Sequence, residues 1–247
     1  MKAMVLAAGL GTRLRPLTDD RPKALVEVAG RTMLEITLRR LESFGIREII
    51  VNAHHFADLL VSYLEAHNNF GLHIEISRED LLLDTGGGIK KAADFFLRGG
   101  NSDAPFLVHN VDVLSDIDLA ALRVFHVEHS ALATLAVQQR STSRYLLFDR
   151  NDQLCGRRAG LDGPPEMARP AAETHALAFC GIHILSPRIF SLLSEEGAFS
   201  IIPAYLRLAT EGEIISAFRA DSNHWRDLGR PESIAQAAAE LTRERLG

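Results

Sequence analysis

A short apolar run, Ala3 to Ala8, breaks off at Gly9 and Gly11, and the same succession of apolar run, loop and amphipathic stretch recurs down the first half of the chain. This alternation limits the fold most, because an apolar run without a two-residue period is buried on both faces and needs helices to cover it. Glu48 to Ala53, Leu72 to Ser77 and Phe106 to His109 are predicted as further strands. Thr32 to Phe44 reads as a helix with Thr32 as N-cap, Leu34, Leu38 and Leu41 on one face, and Gly45 ending it. Phe56 to Ala66 is a second predicted helix, and a third follows Asp84-Thr85-Gly86-Gly87-Gly88 to about Leu97. Ala24 to Val28 is expected as a short extended piece closed by Gly30. The expected fold is α/β: a Rossmann-like, doubly wound, mainly parallel sheet with helices on both faces.

After a helix at Asp118 to His129, capped by Asp118, the pattern changes. Leu132 to Gln138, Arg144 to Asp149, Gln153 to Arg157 and Ala176 to Leu185 read as strands joined by turns, more antiparallel than parallel. Ala159 to Thr174, with Gly160, Gly163, Pro164, Pro165 and Pro170, is expected as a loop or lid. Helices at Pro187 to Leu193 and Ile201 to Glu211, a strand at Ile214 to Phe218, and a closing helix from Pro231 to about Arg245 complete the reading.

A formal charge of −5, with the cations scattered outside the first loop rather than forming a basic stripe, argues against nucleic acid as a partner. No apolar run is long enough to cross a bilayer, which excludes a helical membrane span. Cys155 and Cys180 are too few for a disulfide framework and lack C-x-x-C spacing, so a cytoplasmic protein with free thiols is expected. The oligomeric state is left open.

The loop after the first strand carries the chemistry. Glycines that free backbone amides, together with Arg13, Arg15, Arg21 and Lys23, suit a polyphosphate. Neither common phosphate signature is met: Leu14 occupies the third glycine position of G-x-G-x-x-G, and no G-K-[ST] ending follows. A bare G-x-G also serves as a tight turn, and the cations are what favour a ligand. Asp112 falls just past the carboxyl end of a predicted strand, where open α/β sheets place ligands, whereas Asp116 and Asp118 read as turn and helix caps. Asp227 precedes the closing helix, where a lone aspartate is ordinarily structural. His126-Val127-Glu128-His129 lacks metal-ligand spacing, His54 and His55 read as loop histidines, and Lys90 and Lys91 as a solvated helix face.

Taken together, Leu6-Ala7-Ala8-Gly9-x-Gly11-Thr12-Arg13-Leu14-x-Pro16-Leu17-Thr18, Pro22-Lys23-x-Leu25 and Val28-x-Gly30 resemble the sugar-1-phosphate nucleotidyltransferases, most strongly over residues 1 to 112. The resemblance implies a GT-A-like nucleotidyltransferase fold in one domain over 1–247, with a nucleotide-binding half (1–130) and a small antiparallel sugar-binding portion with the closing helix (131–247). It implies that Ala8, Gly9, Gly11 and Thr12 wrap a triphosphate, that Arg13 faces the leaving pyrophosphate, and that Lys23 lies by the reacting phosphates. Asn110-Val111-Asp112 stands where the family has Asn-Gly-Asp or Gly-Asp, and Val111 is expected to hold the backbone farther from substrate. Asp227, in Trp225-Arg226-Asp227-Leu228-Gly229-Arg230-Pro231, is implied to share Mg2+ with Asp112; Arg230 replaces the usual threonine. Thr85, Gly86 and Gly87 are implied against the nucleobase, and Asn110 and Gly181 by the sugar. The Glu-Lys-Pro that many relatives carry in Ala159 to Thr174 is missing, which leaves Arg157, Arg158 or Arg169 to meet the sugar phosphate.

The implied reaction joins a nucleoside triphosphate to a sugar 1-phosphate and releases pyrophosphate. Uridine is favoured by Thr-Gly-Gly-Gly, with guanosine or thymidine as alternatives, and N-acetylmuramate, mannose, glucose or a heptose as the sugar. Readings of another class are a glycosyltransferase and a regulatory paralogue that binds nucleotide or sugar without turnover.

Overall fold

The computed structural model describes residues 1–99 and 103–244, with side chains to residue 240. In chain order β1 (Ala3–Leu6) leads to a loop with short 3-10 turns at Thr12–Leu14 and Lys23–Leu25, then to a hairpin of β2 (Glu27–Val28) and β3 (Arg31–Thr32). There follow α1 (Met33–Ser43), β4 (Glu48–Ala53), α2 (Ala57–Ala66), β5 (His73–Arg78), α3 (Asp84–Lys91), α4 (Ala93–Leu97) and β6 (Phe106–Asn110). The rest comprises β7 (Val113–Ser115), α5 (Leu119–Glu128), β8 (Ala133–Gln138), β9 (Arg144–Phe148), β10 (Leu154–Ala159), β11 (Glu166–Met167) and β12 (His175–Leu185). It ends with α6 (Ile189–Leu192), α7 (Ile201–Thr210), β13 (Ile215–Arg219), β14 (Trp225–Asp227) and α8 (Pro231–Glu244).

Ten strands form one sheet in the order β11-β10-β9-β12-β6-β1-β4-β5, with β8 joining β12 to β13. β6, β1, β4 and β5 are mutually parallel, as the apolar runs predict, and β12 enters antiparallel to β6. Successive residues of β1 divide between two cores: Ala3 and Val5 meet Leu34, Leu38 and Leu41 of α1 and Leu60 of α2, while Met4 meets Ile89 of α3 and Phe95 and Phe96 of α4. Burial on both faces is why these runs lack polar alternation. β1 has β4 on one side and β6 on the other, so the chain leaves its carboxyl end at the switch point where doubly wound sheets open a crevice.

Local signals set many boundaries. Thr32 accepts from Glu35 N at 3.0 Å, and Asp118 accepts from Ala120 N and Ala121 N at 2.8 and 3.0 Å, each an N-cap as expected. Three expectations need correction. Ala24 to Val28 is a 3-10 turn running into the β2–β3 hairpin, whose Ala29 and Gly30 have φ of 52° and 76°, the two left-handed residues of a twist-matched turn. The glycine triplet lies inside α3 rather than before it. The expected loop at Ala159 to Thr174 includes β11, which pairs with β10. Arg245, the expected end of the closing helix, lies outside the described residues. No helix among the described residues is long and apolar enough to cross a membrane.

Candidate active site

Two charge pairs bring the switch-point loop to the sheet's carboxyl edge. Lys23 Nζ donates to Asp112 Oδ2 at 2.8 Å, with only 15% and 13% of the two side chains exposed. Arg13 Nη2 lies 3.9 Å from Asp227 Oδ2, a looser and more exposed contact. The loop is shaped for this. Leu14 is fully buried and anchors it, Thr18 Oγ1 donates to Gly11 O at 2.9 Å, and Gly11 has φ of 63°. A Cβ on Gly11 would come within 2.9 Å of Thr18 Cγ2 and 3.1 Å of Lys23 Cβ, so the turn over the lysine requires glycine.

The aspartates meet through a ribbon that no sequence period announced. β7 and β14 pair antiparallel, Asp227 opposite Val113, and Leu228 N donates to Asp112 O at 2.8 Å. Gly229 completes the corner: its N–H donates to Asp227 Oδ1 at 2.6 Å, and a Cβ there would lie 2.7 Å from both Asp227 Oδ1 and Arg13 Nη2. Asn110 ends β6 beside Leu6 of β1, and Gly181, at φ of 73° in the bulged middle of β12, packs against it. A Cβ on Gly181 would come within 2.8 Å of Asn110 Nδ2, so this glycine makes room for a protein side chain. Arg13, Asn110, Asp112, Gly181, Trp225 and Asp227 line one cavity of about 980 Å³.

Behind the loop, Asn52 Oδ1 accepts from Ala7 N at 2.6 Å and Ala8 N at 3.3 Å, while Asn52 Nδ2 donates to Glu79 Oε1 at 2.8 Å. Glu79 Oε2 accepts from Leu83 N at 3.0 Å, just ahead of α3. An acceptor-only carboxylate thereby fixes which end of the Asn52 amide faces the loop. Gly9, Leu10, Thr12 and Arg13 form its exposed rim.

Other expected site residues are placed differently. Thr85 Oγ1 accepts from Ile201 N at 2.9 Å, and Gly86 N and Gly87 N donate to Phe199 O at 2.9 and 3.2 Å. All three glycines are buried, and Cβ atoms on Gly86 and Gly87 would come within 2.3 Å of the Phe199 ring and 2.4 Å of Gly197 O. The Cβ side of Gly86 and Gly87 is therefore backed by the 197–199 segment. Val111 is 1% exposed in the core beside Val113 and Leu228, so its side chain does not govern backbone approach on the cavity side. Arg169 is tied to Asp149 Oδ2 at 2.6 Å and to Leu154 O at 2.9 Å, and Arg157 forks Glu166. Lys90 is half-buried and donates to Glu195 O at 2.6 Å, which corrects the expected solvated face. Asp116 accepts from His224 N at 2.8 Å and Asn223 Nδ2 at 3.0 Å, so it ties the segment before β14 to β7 rather than capping its own turn. Nothing in the structure explains Arg230.

Burial pushes the Cys180 thiol up to about 12, so no thiolate is offered to the cavity it borders. Burial likewise pulls His109, beside Asn110, down to about 4, leaving it neutral at pH 7.

A glycine loop and two aspartates at the switch point of a doubly wound sheet mark a nucleotide-handling α/β enzyme. The chain belongs to the nucleotidyl transferase family, whose model matches residues 2–244. It is 36% identical over 252 residues to the N-acetylmuramate alpha-1-phosphate uridylyltransferase of Caulobacter vibrioides, covering 97% of this chain and 96% of that one. It is 32% identical over 246 residues to the enzyme of the same name from Neisseria meningitidis serogroup B, covering 97% of each. The fold is shared with HddC from Yersinia pseudotuberculosis, solved in complex with GMP-PN, at a TM-score of 0.75 and 22% identity over 97% of this chain and 99% of that one.

Proposed function

We propose that this chain transfers a uridylyl group from UTP to a sugar 1-phosphate, N-acetylmuramate 1-phosphate foremost, releasing pyrophosphate. The observation that carries the reading is that Arg13, Asp112 and Asp227 line one cavity, with Lys23 paired to Asp112 and Arg13 facing Asp227. The choice of base and sugar follows the two full-length relatives named above. An acceptor phosphate oxygen attacks the α-phosphorus, a P–O bond forms, and the bond to the β-phosphate oxygen breaks with its electron pair leaving on pyrophosphate. The nucleophile is already an anion, so no general base is needed and the barrier is repulsion and alignment. Lys23, a compact ammonium steered by Asp112, offsets charge at the reacting phosphates, and the planar Arg13 fork suits two oxygens of the leaving group. Gly9, Gly11 and Thr12 shape the triphosphate seat.

The donor set at the cavity also fits Mg2+. Asp112 and Asp227 are hard oxygen ligands held on adjoining strand ends, and no cluster of three or more His, Cys, Asp or Glu exists among the described residues. Two carboxylates with water and substrate phosphates are the shell this cation favours, so Asp112 and Asp227 would hold it together with the nucleotide. When bound it supplies charge neutralisation at the phosphates. The two buried free thiols fit a reducing, cytoplasmic setting.

Wild-type enzyme assayed for pyrophosphate with UTP, GTP and dTTP against a set of sugar 1-phosphates should respond best to UTP. Lys23→Ala and Asp112→Ala should each cut turnover about 100-fold or more, the scale of one lost transition-state contact. Near-normal release by both variants would sink the reading. Silence of the wild type on every pair would favour a non-catalytic regulatory paralogue.

A further inference from the structure

The geometry points to Arg140 as the cation that receives the phosphate of the acceptor sugar, an inference that rests on the transferase reading above. A transferase of this kind must hold two anions, and the cavity's cations are already partly committed. Arg13 and Lys23 face Asp227 and Asp112, and Arg157 forks Glu166 at 2.7 and 3.1 Å. Arg140, Arg144 and Arg158 line the same cavity and form no ion pair among the described residues. Arg144 is exposed at the start of β9, and Arg158 lies beyond it, 6.0 Å from the Tyr145 ring.

Arg140 is built in. Its guanidinium carbon lies 3.6 Å from the centroid of the Trp225 ring, and Nη2 donates to Phe179 O at 2.8 Å. Trp225 Nε1 donates to Cys180 O at 2.7 Å, so cation and indole are both pinned to the bulged stretch of β12 that also holds Gly181. Trp225 stands two residues before Asp227 on β14; burial lowers the Arg140 pKa, and the Cys180 and then the Asp227 side chains oppose that shift. Arg140 Nε is buried with no hydrogen-bond partner among the described residues, as is Arg158 Nε, so what sets Arg140 apart is its fixed place between Trp225 and the β12 backbone. A half-buried guanidinium that forms no ion pair is incompletely satisfied by the protein, and a phosphate dianion at its open Nη edge would add the missing partner. With one face covered by indole and the fork held in place, the remaining N–H groups offer a rigid edge of the kind that binds phosphate oxygens. The position also fits: Arg13 contacts Asp227 from the glycine loop, whereas Arg140 reaches the cavity from beside β12, the strand that carries Gly181 of the expected sugar pocket.

Steady-state kinetics on the wild type, R140M, R140K and R158M, varying UTP and the sugar 1-phosphate separately, test this. R140M should raise KM for the sugar 1-phosphate about tenfold or more while KM for UTP stays within about twofold, and R140K should recover part of the loss. Inorganic phosphate, competing with the acceptor, should inhibit R140M correspondingly less. A smaller folded fraction would lower apparent kcat and leave both KM values unchanged, and R140K keeps the charge if R140M folds poorly. An unchanged acceptor KM in a folded R140M or R140K, or the rise appearing in R158M instead, overturns the inference alone. No pyrophosphate from the wild type with any pair overturns the transferase reading and this inference with it.

Discussion

Asp227 shows how much of the site depends on one absent methyl. Its Oδ1 takes the Gly229 N–H at 2.6 Å while its Oδ2 faces Arg13, and a Cβ on Gly229 would push into both groups at 2.7 Å. G229A should therefore lower pyrophosphate release about 100-fold, the cost of displacing reacting groups by a fraction of an ångström or more, with a small change in the urea midpoint. Activity within about twofold of wild type would show that the corner tolerates the methyl. The four charged residues at the mouth were legible because the loop and the two aspartate motifs carry them in short strings. Gly229 stood in one of those strings, yet its contact with Arg13 crosses most of the chain. Arg140, Asn52 and Glu79 had no local signal at all, since what makes each one informative is a partner on a distant strand.

The α3 triplet sets local propensity against tertiary packing. Alanine in place of a helical glycine favours the helix by about 1 kcal/mol on propensity alone. At Gly86 the added Cβ would meet the Phe199 ring at 2.3 Å and the Phe199 carbonyl at 2.9 Å, and overpacking of that kind costs about 1–3 kcal/mol. G86A should lower the urea midpoint, and F199A beside it should restore part of the loss; a midpoint above wild type would mean propensity wins. The same conflict explains why the triplet reads as a loop from sequence: three glycines disfavour a helix, and only the 197–201 segment supplies the reason for them. Elements with a clear apolar period were read to within a residue or two, such as α1 and β4. Those that failed are too short to have a period: β2, β3, β7, β11 and β14 are two or three residues long. The ribbon that joins the aspartates is among them, so the part of the fold that makes the site was the least legible.

Across the whole molecule, three buried histidines tie stability to pH. Burial pulls His109 and His126 to about 4 and His183 to about 3. His126 sits between Thr134 Oγ1 at 2.9 Å and Ser186 Oγ at 3.1 Å. Ser186 donates onward to Ala131 O at 2.7 Å, so it accepts from His126 Nε2 and leaves Nδ1 to accept from Thr134. His183 Nδ1 and Tyr205 Oη share a buried hydrogen bond of 2.8 Å. In the unfolded chain these imidazoles titrate near the ordinary value of about 6.5, so between that pH and about 4 the unfolded state binds more protons. Folding stability is then full above about pH 6.5 and falls as pH drops, by up to about 1.4 kcal/mol per pH unit for each histidine. Urea midpoints should be clearly lower near pH 5 than near pH 7.5. Equal midpoints would mean that these groups are solvated or paired with an anion in the folded protein.

The β7–β14 ribbon also sets the order in which the site can come into being. Val113 and Asp227 are rungs of one ladder, and between them the chain runs through β8 to β13 and back. A nascent chain can complete β1, β4, β5 and β6 while it still carries only the first aspartate. Until β14 emerges, Lys23 has a counter-ion and Arg13 has none. The paired arrangement of both aspartates with the loop therefore forms in one late step, and a polypeptide interrupted before that strand would carry the glycine loop and Lys23–Asp112 without the Arg13–Asp227 contact.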